Sequence, residues 1–130
     1  MSEIFTIEMK VRDYECDMQG IVNNANYLNF LEHARHEYLE SRGTTFAELT
    51  EQGIIIVVAR AEIDYRQSLR SGDRFSVSVV AQRSSRVRLV FVQEIHKLPE
   101  GTPVLQARIT TTAVNQRNRP YFPPELEAIL

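Results

Sequence analysis

At 130 residues and 15.0 kDa the chain has room for one domain, spanning 1–130, and can bury roughly two thirds of the surface that its unfolded form exposes. Its 43% apolar and 25% charged residues suit a globular protein, and a formal net charge of −2 offers no dominant basic face for nucleic acid. The single cysteine, Cys16, excludes an internal disulfide and fits a reducing compartment. No apolar run is long enough to span a bilayer, and residues 1 to 5 lack the basic and apolar regions of a signal peptide, so a cytoplasmic protein without a membrane partner is expected.

In chain order, Phe5, Ile7, Met9 and Val11 alternate with Thr6, Glu8 and Lys10, the pattern of a half-buried strand. Residues 12 to 26 are polar and rich in turn formers and predict a loop. From Tyr27 to about Arg42 the apolar residues Tyr27, Leu31, Ala34 and Tyr38 form one helical stripe, widened by Leu28, Phe30 and Leu39. Gly43 stops that helix, and Thr44 to Leu49 predicts a short capped one ending near Gly53. Ile54 to Ala59 is a continuous apolar run with strand preference.

The remainder predicts an antiparallel meander. Phe75, Val77, Val79 and Ala81 share one face of the first strand, Val87, Leu89, Phe91 and Ile95 one face of the second, and Leu105, Ala107, Ile109, Thr111 and Ala113 one face of the third. Gly72-Asp73, Ser84-Ser85 and Pro99-Glu100-Gly101 supply the turns. Five strands and one long helix inserted after the first predict an α+β fold, a curved antiparallel sheet wrapped around a helix, with short sequential connections and no crossover. Val80, Val90, Val92, Val104 and Val114 fall on the opposite face, which a second subunit would cover. Pairing of sheet edges between copies would remove an exposed edge.

The most informative stretch runs from Asp17 to Tyr27, with Gly20, Asn23, Asn24 and Asn26 between them. It places an acid just ahead of a helix start, where free backbone N–H groups and the positive end of the helix dipole stabilise a developing oxyanion. Asp17 is either a loop acid or a catalytic one. Gly20 serves the turn or a close approach of substrate, and Asn23 and Asn24 serve as caps or as groups that order a water.

This segment resembles the signature of the hotdog-fold acyl-CoA thioesterases of the 4-hydroxybenzoyl-CoA thioesterase type, an acid followed by Gly, Val and Tyr and a helix with Glu-x-Ala-Arg. Asp17, Gly20, Val22, Tyr27, Glu32, Ala34 and Arg35 fit it. So do the strand before the motif, a strand ending at Tyr65 and the Gly72-Asp73 turn. The triplet Val22-Asn23-Asn24 also resembles plant acyl-carrier-protein thioesterases, but Ile21 stands where those carry a His. The resemblance implies hydrolysis of a fatty or aromatic acyl-CoA, with an acyl carrier protein thioester as second choice. It implies Asp17 as nucleophile or general base, the backbone of Asn24 as oxyanion donor, no cofactor, and a homodimer or homotetramer with sites at the subunit interface. A hotdog hydratase would need a His in the loop, which has none, and a non-catalytic acyl-CoA-binding module would not need Asp17.

Around these residues, Asn23 and Tyr27 are candidates for substrate contact, and Tyr27 is expected to pack in the core with its hydroxyl satisfied at the interface. Arg83, Ser85 and Arg86, at the turn between two strands, are candidates for coenzyme A phosphates, because guanidinium groups at strand ends reach a nucleotide on the surface. Glu32 is expected either to assist the site or to pair with Arg35 at i,i+3. His33 and His36 lack His-Glu-x-x-His spacing, so no metal is expected.

Overall fold

The computed structural model describes residues 4–130, so the expectations for residues 1 to 3, the signal-peptide reading among them, lie outside the described residues. Its elements are β1 (Phe5–Lys10), α1 (Asn24–Ser41), α2 (Phe46–Glu51), β2 (Ile55–Tyr65), β3 (Arg74–Arg83), β4 (Arg88–Lys97), β5 (Thr102–Val114), β6 (Pro120–Tyr121) and α3 (Pro124–Glu127). All sheet pairs are antiparallel, in the order β1-β3-β4-β5-β2, with the two-residue β6 added to β5. This is the hotdog arrangement, a sheet curled around α1.

The expected absence of a crossover is wrong. β1 pairs with β3 at one edge and β2 with β5 at the other, so the chain crosses the sheet between β1 and β2 and again between β2 and β3. The cause is the helix. α1 packs on β1 and β3 and reaches Phe75 and Phe91 through Phe30 and Tyr38, and α2, packed on β2, then carries the chain to the far edge.

α1 begins at Asn24, three residues before the apolar stripe announces it. Asn23 caps it, its side-chain oxygen accepting the Ala25 N–H at 2.9 Å. The stripe buries Tyr27, Phe30, Leu31, Ala34, Tyr38 and Leu39 against Phe75, Val77, Leu89, Phe91 and Ile95. Leu31, Ala34 and Leu39 are fully buried; each such leucine contributes about 2 kcal/mol by removal from water. No helix among the described residues is long and apolar enough to cross a membrane.

Two bulges revise the strand faces. Val104 is skipped in the β4–β5 register between its neighbours Pro103 and Leu105, which turns it inward, so it is core and not outer face. Val90 and Val114 are also buried, whereas Val80 and Val92 are half-buried. Ala59 is skipped in the β2–β5 register, and the apolar run that contains it continues through Tyr65 as one strand. That strand is the exception to burial. Its outer edge pairs with nothing among the described residues, and Ile55, Val57 and Val58 are 42%, 40% and 55% exposed.

Candidate active site

The loop ahead of α1 is closed by its own backbone. The Asp17 N–H donates to the Ile21 carbonyl at 2.8 Å, and the Gly20 N–H to the Asp17 carbonyl at 3.0 Å. Gly20 has φ +79°, a left-handed conformation that side chains resist. The Asp17 carboxylate is exposed, and its Oδ1 accepts N–H bonds from Gln19 at 2.9 Å and from Ile21 at 3.5 Å. Oδ2 takes no bond from described residues, so half of the carboxylate is available to a proton or a carbon.

Asn23 fastens this loop to the helix: its N–H donates to the Glu15 carbonyl at 3.1 Å, and its side chain caps Ala25. The next amide is different. The Asn24 N–H finds no acceptor among the described residues, at the positive end of an 18-residue helix. Asn24 lines a cavity of about 220 Å³ with Ile21, Val22, Tyr27, Tyr65 and Arg66.

Tyr27 walls that cavity with its ring, set edge-on to Tyr65 at 5.6 Å and to Phe30 at 6.1 Å. Its hydroxyl was expected to be satisfied at a subunit interface. It is satisfied within the chain instead, accepting the Leu69 N–H at 2.9 Å, while the Leu69 carbonyl accepts from Val22. Burial holds the Tyr27 hydroxyl above its ordinary pKa, partly opposed by the Leu69 bond.

Of the predicted site residues, the fold therefore brings Asn24 and Tyr27 to one cavity, with Gly20 and Asp17 in the tight turn that ends at its wall residue Ile21. Asn23 lies one residue away as the cap. Arg83, Ser85 and Arg86 lie at the opposite end of the sheet, because Arg83 pairs with Leu89 and Arg88 with Thr112, whereas Tyr65 pairs with Leu105. Arg83 is already engaged: it pairs with Glu127 at 2.6 Å, donates to the carbonyls of Ser85 and Arg86, and stacks over Phe122 at 4.1 Å. The Ser85 hydroxyl accepts amides of the turn, and Arg86 is exposed with no ion pair among the described residues.

On the helix the expected Glu32–Arg35 pair is absent. Glu32 approaches His36 at 3.6 Å and His33 approaches Glu37 at 3.7 Å, because i,i+4 spacing brings these side chains closer. Arg35 instead donates to Gln93 Oε1 on β4 at 3.0 Å, and Gln93 Nε2 donates to the Leu31 carbonyl at 3.0 Å. Gln93 is fully buried, and only its place among Leu89, Phe91 and Ile95 on one strand face could have marked it from sequence. Arg66, which lines the cavity, was not among the predicted site residues; the Tyr before it, at the end of β2, was the usable signal. The described residues hold no group of three or more His, Cys, Asp or Glu arranged for a metal. A larger hollow, about 710 Å³, lies by Tyr38, Arg42 and Leu130 and contains no predicted residue.

The model of the thioesterase-like superfamily matches residues 11–130. The chain is 39% identical over 124 residues to the chloroplast acyl-acyl carrier protein thioesterase ATL3 of Arabidopsis thaliana, covering 95% of this chain and 65% of that protein, so it spans just under two thirds of that relative's length. It is 33% identical over 112 residues to the long-chain acyl-CoA thioesterase FadM of Escherichia coli, covering 86% and 84% of the two. The crystal structure of a hypothetical protein from Aquifex aeolicus superposes with a TM-score of 0.89 at 29% identity, over 97% of this chain and 98% of that one. With a family match that takes in every element from the Asp17 loop to α3, the chain belongs to the thioesterase-like superfamily.

Proposed function

We propose that the protein is a single-domain, cytoplasmic hydrolase of acyl-CoA thioesters, with acyl carrier protein thioesters as the second substrate class. The observation that carries this reading is the unpartnered Asn24 N–H at the start of α1, in the wall of a cavity and a few residues from an exposed carboxylate. A thioester carbonyl oxygen accepting from that N–H gains charge where the helix end stabilises it. Asp17 then attacks the carbonyl carbon, or removes a proton from a water that does so. The C–S bond breaks and the thiolate leaves and is protonated; where Asp17 is the nucleophile, water then hydrolyses the anhydride it has formed, so either route ends in carboxylic acid and free thiol. Gly20 holds the loop close enough for this approach, Asn23 fixes the helix start, and Tyr27 contributes its ring to the wall.

The reading includes a homodimer, and the open edge of β2 supports it. Two copies pairing antiparallel along β2 would set the Ile55 end of each beside the Tyr65 end of the other. That brings the Arg86 turn of one copy toward the Asn24 cavity of the other, where an exposed guanidinium can meet coenzyme A phosphate. Ser85 and Arg83 shape that turn.

Asp17→Asn is the test. Asn keeps an Oδ1 acceptor for the Gln19 and Ile21 amides, so the loop should persist while the charge is lost. Thiol release from a panel of aliphatic and aromatic acyl-CoA esters should fall by about two to four orders of magnitude. Wild-type turnover in a folded Asp17→Asn protein would end the proposal.

A further inference from the structure

A third cavity, about 290 Å³, opens between the middle of α1 and the start of β2. Its wall is apolar at Phe46, Ile55, Ile56, Val58 and Phe91, and His36, Thr50 and Thr111 add polar groups. Into it α1 presents Arg35. This guanidinium is half-buried, lies 6.0 Å from the Phe91 ring, and makes one hydrogen bond, to Gln93 Oε1. No carboxylate of the described residues lies within ion-pair distance of it; the one carboxylate that lines the cavity, Glu32, is turned to His36. Burial depresses the Arg35 pKa, and the charge of nearby Glu32 partly offsets this.

The half-buried guanidinium gives one of its five N–H donors to Gln93 and leaves the others to an acceptor in the cavity, water or ligand. Gln93 fixes the position of this guanidinium. A fully buried amide, anchored on the Leu31 carbonyl, is spent holding the Arg35 fork in one orientation. The space left beside the fork suits about ten heavy atoms, at the roughly 30 Å³ that each water-sized group occupies.

The position relative to Asn24 matters as well. Arg35 is eleven residues along α1 from Asn24, about 16 Å at the helical rise. In the proposed antiparallel dimer, the cavity at Ile55 to Val58 of one copy would lie toward the Asn24 end of the other. Either route is spanned by an acyl group of moderate length whose carbonyl sits at Asn24.

We propose that Arg35 is a specificity-determining residue, selecting acyl groups that carry an oxygen acceptor, such as a phenol, ketone or carboxylate, at the end remote from the thioester. The inference rests on the thioesterase reading for the location of the carbonyl. The acceptor takes the free N–H groups of the fork, the apolar walls hold the carbon skeleton, and Gln93 is a positioning residue for the guanidinium.

The test uses matched pairs of non-hydrolysable acyl-CoA thioethers whose shared skeleton is long enough to span the roughly 16 Å from Asn24 to Arg35 and that differ only in a distal oxygen, with separate pairs for phenol, ketone and carboxylate. Their binding to wild type and to Arg35→Met and Arg35→Lys is measured by calorimetry, with thermal melts and molecular mass as controls. Wild type should bind at least one oxygenated member about tenfold or more tighter than its partner, as expected when an acceptor meets a charged donor. Arg35→Met should bring that ratio to about one, and Arg35→Lys should keep part of it. Equal binding of every pair by wild type, or a ratio unchanged in Arg35→Met, overturns the proposal. So does a loss confined to dimer mass or melting temperature, which would make Arg35 a structural group. Because binding is read without turnover, a protein that hydrolyses no thioester would fail the catalytic proposal and leave this result to be read separately.

Discussion

Replacing Tyr27 by Phe removes one oxygen and leaves the Leu69 N–H, donated to it at 2.9 Å, without an acceptor. Leu69 is fully buried and Tyr27 is 3% exposed, so water does not take over the bond. An orphaned buried amide costs about 1–3 kcal/mol. The unfolding entropy near the melting point is about 2.1 cal/mol/K per residue, or about 0.27 kcal/mol/K for this chain, so the melting temperature should fall by about 4–11 °C. The ring stays, and with it the cavity wall, so thiol release by the folded variant should match wild type. Differential scanning calorimetry at neutral pH decides the first point. A melting temperature within about 1 °C of wild type would mean that the hydroxyl is not what holds Leu69 to α1.

A pH arm sharpens this test, since burial raises the Tyr27 pKa above 10.0 in the folded protein. Below pH 10 both states keep the proton and the contribution is complete. Above it the unfolded chain releases the proton first, so stability drops as pH rises toward the folded value, by at most about 1.4 kcal/mol per pH unit. The stability difference between wild type and Tyr27→Phe should therefore shrink above pH 10. A difference constant from pH 8 to 11 would contradict the assigned cause.

Other predictions concern the proposed dimer and ligand. Sedimentation of wild type at micromolar concentration should show a species of at least twice 15.0 kDa, and Val58→Lys, on the exposed β2, should raise the dissociation constant about tenfold or more through the cost of burying an unpaired charge. A wild-type monomer would sink the edge-pairing argument. Arg86→Ala should raise the apparent Michaelis constant for acyl-CoA at low salt, with the effect fading as the Debye length falls to about 8 Å near 0.15 M. An effect independent of salt would take Arg86 away from the phosphates.

Much of this molecule is written in local periodicity. Alternation over residues 4 to 11, 74 to 83, 86 to 96 and 104 to 115 marked four strands, each within two residues of its observed bounds, and the Tyr27-Leu31-Ala34-Tyr38 stripe marked the face of α1 that the sheet covers. The loop from Asp17 to Asn24 was legible because capping residues and a left-handed Gly20 act on their immediate neighbours. What escaped were relations between distant residues. The crossover that sends β2 beyond β5, the inward turn of Val104 at a bulge, the Leu69 amide on Tyr27 and the Gln93 amide on Arg35 each join segments that share no period. The amino-acid sequence by itself determined the core stripe of α1, the inward residues of most strands, and where a helix end meets an acid. Only the tertiary structure decided which elements stand side by side, which edge stays open and which polar groups meet, because local pattern encodes the wish of a surface to be covered and carries no address for what covers it.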